Sequence, residues 1–261
     1  LARKAVLDGA GKRAAFALFY GPLHFLVVRS IARALLPASR PHAYVLDLGC
    51  GTGVAGAAWA LAEREAFGGA GPAVEGVDES AWAVGEATWT YRALRAAGRA
   101  RRGPFERAVP VPASPGPSGV TIAAWALNEL EPAVLEPLLA RLLEGTARGG
   151  DLLVVEPLAR GVATYWSRLE AEALARGGRA DEWRFRPSLP PRLKLLDKAA
   201  GLDHATLGAR SIWTGGAHAT PNDGCSHREW ARPGAPGPLP ADGAVPRRPA
   251  GADGAVPRPV A

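Results

Sequence analysis

The sequence predicts an α/β protein built on a doubly wound, mostly parallel sheet with helices on both faces. Three observations predict it. Short apolar runs end in acidic residues at Asp47, Asp78 and Glu156. Alanine-rich or leucine-rich segments of helical length alternate with these runs. The first run passes into its helix through alternating glycines, Gly49, Gly51 and Gly53. Strands and helices alternate in this way in βαβ units, because parallel strands need a crossover that covers the sheet.

Taken in order, residues 1–42 read as an N-terminal helical segment or lid. Val27, Val28, Ile31 and Leu35 recur at helical spacing with Arg29 and Arg33 between them, as in an amphipathic helix packed on a main domain. Gly21, Pro22 and His24 interrupt the apolar stretch, so its pieces are expected to be too short to span a bilayer, and no membrane is expected as a partner. Residues 43–216 form the main domain. Its first strand is Ala43–Leu48 and its first helix Val54–Ala66. A second strand, Ala73–Val77, ends at Asp78, and a helix over Ala81–Ala97 stops at Gly98.

A third strand is expected over Phe105–Val111, shortened by the prolines at 104, 110 and 112. Val120–Ala126 is a buried strand running into Leu127-Asn128-Glu129-Leu130. Leu135, Leu138, Leu139, Leu142 and Leu143 then mark one helix face, and Gly149-Gly150 ends that helix. Leu152–Val155 is the next strand. Val162–Arg176 and Leu193–Ala200 are helices, and Ala205–Thr214 is a closing strand for which Glu182–Phe185 is the candidate partner.

Residues 217–261 change character: proline, glycine, alanine and arginine dominate, with no large apolar group beyond Trp230 apart from scattered leucine and valine. Such a tail cannot bury enough surface to offset the entropy of ordering it, so it is expected to be disordered.

Composition bounds the function. The 261 residues carry 48% hydrophobic side chains, enough for one sizeable core. The net charge of +6 rests almost wholly on arginine in a chain with no methionine. That bias fits a GC-rich coding sequence, so nucleic acid or the ribosome is only weakly indicated as a partner. Two cysteines, Cys50 and Cys225, give neither a disulfide framework nor a metal-binding spacing. No metal is expected, and a reducing, cytoplasmic setting is the default.

The glycine turn carries the chemistry. A strand that ends in Asp47 and bends through Gly49, Cys50, Gly51 and Gly53 into a helix offers bare backbone to a ligand at the carboxyl edge of the sheet. From Gly51 to Gly56 the string matches G-x-G-x-x-G, which fits a dinucleotide and would make the protein an NAD(P)-dependent oxidoreductase. From Asp47 it reads D-x-G-x-G-x-G. A carboxylate against the turn repels a pyrophosphate but tolerates a cationic nucleoside. Asp78, at the end of the second strand, is placed to accept ribose hydroxyls in either case, with Glu79 beside it and Ser80 available to cap the next helix.

Over Val45–Val54 the chain resembles the first motif of the class I, Rossmann-like S-adenosylmethionine-dependent methyltransferases, and a looser resemblance extends over residues 43–214. The resemblance implies S-adenosyl-L-methionine as cofactor and methyl transfer to an unidentified acceptor, whether RNA, protein or small molecule. It implies cofactor contacts at Asp47, Gly49, Cys50, Gly51, Gly53, Asp78, Glu79, Trp125, Ala126 and Leu127. It also implies an acceptor pocket near Asn128 and Glu129, with Tyr20 and His24 on a covering N-terminal segment. The strand ending Val154-Val155-Glu156-Pro157 is similar to methyltransferase-like proteins of the small ribosomal subunit, and this would imply a non-catalytic assembly factor. Those proteins carry a cysteine cluster toward the C-terminus, where this chain has only Cys225. In-line methyl transfer needs alignment more than an acid–base pair, so no catalytic residue is assigned.

Overall fold

The structure is a computed structural model that describes residues 8–108, 119–159, 161 and 163–215. The expected disorder of the tail over 217–261 lies outside the described residues, as do residues 109–111 of the expected third strand.

Seven strands form one sheet in the order β3-β2-β1-β4-β5-β7-β6. β1 (Tyr44–Leu48), β2 (Ala73–Asp78), β3 (Gly98–Arg102), β4 (Gly119–Ala124) and β5 (Asp151–Glu156) run parallel. β7 (Leu207–Trp213) pairs antiparallel with β5, and β6 (Arg179–Phe185) antiparallel with β7. The closing pair expected from Ala205–Thr214 and Glu182–Phe185 is present and complete. Strand order reverses between β1 and β4, and ligands of open α/β sheets bind at the carboxyl ends of strands flanking such a switch.

Helices cover both faces. α1 (Ala10–Ala15) leads through a π-helical turn, Phe16–Tyr20, into α2 (Gly21–Leu35). α2, α3 (Val54–Phe67) and α4 (Ala81–Ala93) pack on one face with Trp59, Tyr91 and Ile31 at the centre. α5 (Pro132–Ala147) and α6 (Trp166–Ala175) pack on the other, around Leu127, Leu138 and Leu152. α7 (Pro191–Ala199) joins the first face through Leu193. The leucines of α5 point inward as their spacing dictates: Leu135, Leu138, Leu139 and Leu142 are buried.

Two expectations are corrected. The helix expected to run to Ala97 ends at Ala93, and the third strand is Gly98–Arg102, not Phe105–Val111. Arg95 turns the chain at φ 53°, and the Ala97 carbonyl accepts the Val74 N–H at 2.8 Å, opening the strand. Gly98 is needed there for packing, since a Cβ would stand 2.7 Å from the Tyr91 ring. The strand escapes a pattern-based reading because Gly-Arg-Ala-Arg-Arg has no apolar alternation; lying at the sheet edge, it buries no side chain. Phe105–Arg107 is instead a 3₁₀ turn that buries Phe105.

The N-terminal apolar stretch is also not interrupted at Gly21, Pro22 and His24 as expected. Residues Ala10–Ala38 run as one helical stretch, long and apolar enough by length and composition to cross a membrane. Pro22 does not break it, because the wider turn over Phe16–Tyr20 immediately before it absorbs the lost hydrogen bond. Its apolar residues have a partner within the domain. Leu23, Val27, Val28, Ile31, Ala32 and Leu35 are buried, and Arg29 and Arg33 both reach Glu65 on α3, the latter at 2.7 Å.

Candidate functional site

β1 delivers the chain to the switch point, and three left-handed glycines bend it back: Gly49 at φ 62°, Gly51 at 52° and Gly53 at 75°. The bend is tight on both sides. A Cβ on Gly49 would lie 2.6 Å from the Ala126 Cβ, and one on Gly53 would lie 2.9 Å from both the Ala87 backbone and the Tyr91 ring. Inside the turn the Gly53 N–H donates to the Cys50 carbonyl at 2.7 Å, and the Cys50 N–H to the Val77 carbonyl at 3.1 Å. α3 begins directly after it.

Two carboxylates serve this turn. Asp47 is 1% exposed, and its Oδ2 accepts the Gly56 N–H at 2.8 Å, in the first turn of α3. Asp78 stands at the end of β2; its Oδ2 accepts the Gly51 N–H at 2.9 Å and its Oδ1 the Ser80 N–H at 2.8 Å. Ser80 in turn caps α4 by accepting the Ala83 N–H at 3.3 Å. Burial pushes the Asp47 carboxyl up to about 7; the Gly56 N–H opposes the rise and nearby Asp78 adds to it.

A carboxyl raised from 3.8 to about 7 in the folded state stabilises the protein while protonated. That contribution is intact below about pH 4, the unfolded value, and is lost as pH rises from there through about 7, the folded value. An asparagine side chain at this position would keep the acceptor for the Gly56 N–H without the buried charge. Asp47→Asn is therefore expected to shrink the fall in unfolding midpoint between pH 5 and pH 8. Glu156, also raised to about 7 by burial, contributes in the same direction, so the slope should be reduced and not abolished. Urea titrations at the two pH values measure it.

The other residues expected at the cofactor site fall into two groups. Cys50 turns its thiol inward, toward Gly76, so that only its backbone faces the turn; burial raises the thiol well above its ordinary range. Glu79 is exposed, and its carbonyl accepts Arg102 Nε at 3.0 Å. Trp125 holds a left-handed φ of 54° at the end of β4, fixed by its N–H donating to the Val155 carbonyl at 2.9 Å. A non-glycine residue in that region costs free energy and tends to sit at functional positions. Ala126 packs against Gly49, whereas Leu127 is fully buried on the α5 side.

The N-terminal helix is brought to the same place. The His24 ring stacks on Trp125 with centroids 3.8 Å apart and planes 11° apart. Burial lowers His24 to about 4, so it is a neutral imidazole at physiological pH. Tyr20, 44% exposed, lies 6.4 Å from His24. Phe16 is absent from the sequence-based site, yet its ring covers the turn: a Cβ on Gly51 would meet it at 3.1 Å. Phe16 also stands edge-on to His24 and Trp82. An aromatic inside an apolar run carries no signal of its own, so only the fold could reveal it.

Asn128 and Glu129 follow in a 3₁₀ turn, Leu127–Glu129, with Glu129 exposed. Asn128 borders a cleft of about 120 Å³ that opens between this turn, the start of α5 and Thr164-Tyr165. Beneath it lies a buried polar group absent from the sequence-based site. Glu156 is 0% exposed and accepts the Tyr165 hydroxyl at 2.6 Å. Arg210 faces Glu156 across the β5–β7 ladder, with its guanidinium 4.1 Å above the Trp166 ring.

No protein-family model and no curated protein matches the chain. Solved structures of similar fold exist. One is a precorrin 8w decarboxylase from Methanobacterium thermoautotrophicum, 15% identical, with a TM-score of 0.45 over 73% of this chain and 90% of that one. A candidate O-methyltransferase from Nostoc punctiforme is 15% identical, with a TM-score of 0.49 over 80% of this chain and 62% of its own. A candidate class I S-adenosylmethionine-dependent methyltransferase from Listeria monocytogenes is 12% identical, with a TM-score of 0.48 over 78% and 62%. This chain thus spans less than two thirds of the length of the last two.

Proposed function

We propose that the protein binds S-adenosyl-L-methionine at the glycine turn and transfers its methyl group to an acceptor held beyond β4. One observation carries the choice of ligand. A dinucleotide site needs free N–H groups at the turn and the helix start to hold its pyrophosphate. Here the Gly51 N–H is given to Asp78 and the Gly56 N–H to Asp47. Two donors of the turn and helix start are thus occupied, and by acidic groups that would repel a diphosphate when ionised. A sulfonium nucleoside has neither conflict.

The residues fit such a group. Each Asp78 oxygen retains a lone pair beyond its one backbone bond, enough to accept ribose hydroxyls. Phe16, His24 and Trp125 supply aromatic walls beside the glycine turn. The bound donor supplies an activated methyl on a sulfonium; the protein's part is to align it and to exclude water.

Calorimetric titration with S-adenosylhomocysteine, S-adenosylmethionine and NAD tests this. Saturable binding of the first two is expected. Asp78→Ala should weaken S-adenosylhomocysteine binding by about tenfold to a hundredfold, the worth of roughly 1.5–3 kcal/mol for charge-assisted hydrogen bonds. Gly51→Arg should abolish it. Tight NAD binding, or no response to the nucleosides, would overturn the reading.

A further inference from the structure

The cleft beside the β4–α5 turn has walls of Leu127, Leu130, Pro132 and Leu135, and a floor where Asn128 and Tyr165 meet. Among the described residues lining it, the unpartnered buried side-chain atom is an acceptor. Asn128 Oδ1 is buried with no hydrogen-bond partner; Glu156 Oε2 is likewise unpartnered, opposite the unpartnered Nε and Nη2 of Arg210. Tyr165, which also lines the cleft, spends its only proton on Glu156 Oε1, so its oxygen keeps acceptor capacity. The floor therefore offers two acceptors, the Asn128 side-chain oxygen and the Tyr165 oxygen, to a ligand's donor, beside the Asn128 amide N–H groups and the Thr164 hydroxyl. Among the described residues no cation lines the cleft, and Glu136 at its rim already pairs with Arg168. The volume of about 120 Å³ is of the order that holds a single six-membered ring.

We infer that this cleft is the acceptor site, that it takes a neutral hydroxylated ring of the phenol class, and that Tyr165 is the residue receiving the hydroxyl proton. The inference rests on the methyl-transfer reading above. Ala126 touches Gly49 and Leu127 lines the cleft, so the turn after β4 joins the two sites. The phenolic O–H proton passes to the Tyr165 oxygen while the Tyr165 proton passes to Glu156, which becomes a neutral acid. The phenolic oxygen forms its new bond to the methyl carbon, and the carbon–sulfur bond breaks with its electron pair left on sulfur. Glu156 then returns its proton to solvent, closing the balance.

Glu156 acts through Tyr165 and is a positioning residue. The groups facing it are Tyr165, Arg210, the Asn128 N–H and Glu129. Burial raises its carboxyl to about 7 against the lowering effect of Tyr165, Arg210 and Asn128. Ionised Glu156 holds the Tyr165 proton more strongly and makes its oxygen a better acceptor, so phenol should bind more tightly as pH rises through 7.

The probe is phenol itself, titrated into the full chain with ligand-observed nuclear magnetic resonance, with S-adenosylhomocysteine calorimetry run on the same samples. Saturable phenol binding is expected, weakened about tenfold by Tyr165→Phe and abolished by Leu135→Trp, which fills the cleft. Glu156→Gln should remove the dependence on pH between 6 and 8, which a purely structural role would leave in place. Both tyrosine and leucine variants should bind S-adenosylhomocysteine as the parent does, which also shows that they fold. If S-adenosylhomocysteine binds but phenol does not, or binds Tyr165→Phe equally well, the acceptor assignment fails and the methyl-transfer reading stands. If the parent protein binds no S-adenosylhomocysteine, the methyl-transfer reading fails and this inference with it.

Discussion

His42→Ala is expected to destabilise the protein by about 3–5 kcal/mol, the cost of stranding buried charges. His42 lies at the end of the sheet opposite the glycine turn, just before β1, with its side chain fully buried. Its Nδ1 meets Glu63 Oε2 at 2.8 Å and its Nε2 meets Asp151 Oδ2 at 2.9 Å. Trp59 also donates to Glu63 Oε2 at 2.8 Å, and the rings of Trp59 and Trp213 flank the imidazole. One side chain thus ties α3, β1 and β5 together, and its loss strips Glu63 of its counter-charge and leaves Asp151 with the exposed Arg40 at 3.8 Å. Urea unfolding should show a lower midpoint at unchanged slope.

The pH dependence of that effect has a definite sign. Burial would hold the His42 imidazole neutral, but the hydrogen bonds and charges of Asp151 and Glu63 outweigh it and raise the group above 6.5. A raised histidine contributes fully below its unfolded value, and the contribution is lost as pH rises through the folded value. The gap between the parent protein and His42→Ala should therefore be widest at pH 6 and narrow as pH rises above the raised value.

The second large effect is expected from Gly53→Ala. The position needs φ 75°, which costs an L-residue about 1–2 kcal/mol. The new methyl also meets the α4 backbone at Ala87, 2.9 Å away, where no flexible side chain can move aside. Overpacking of this kind adds roughly 1–3 kcal/mol, for a total of about 2–5 kcal/mol. Gly51→Ala makes the informative contrast. It shares the left-handed backbone at φ 52°, but its methyl meets only the Phe16 ring, at 3.1 Å. Gly51→Ala should cost about 1–2 kcal/mol in stability and act mainly on nucleoside binding. Melting curves and calorimetry on both variants separate the two roles of the turn.

What can be read in the sequence follows from how local each signal is. The strand–glycine–helix passage from Val45 to Val54 is written in consecutive residues, so β1, the turn and α3 lie where the pattern puts them. Ser80 caps α4 as its position suggests. β3 eludes the pattern because an edge strand of arginines needs no apolar alternation, and its partner Glu75 is far away in sequence. The pairing of Asp47 with Gly56 and of Asp78 with Gly51 is hidden too, since it depends on two strand ends meeting one turn. The Glu156, Tyr165 and Arg210 cluster joins three elements and leaves no mark beyond a terminal Glu-Pro.

The charged outer strands have a consequence for assembly. β3 and β6 terminate the sheet, and a bare strand rim is a template on which other chains can add. Arg99, Arg101 and Arg102 stud the first rim, while Arg179, Asp181, Glu182 and Arg184 stud the second. Stacking a foreign strand against either would force unlike and like charges into fixed register and strip their hydration. Strand addition at these two hydrogen-bonding edges is thereby disfavoured, at little cost to the interior.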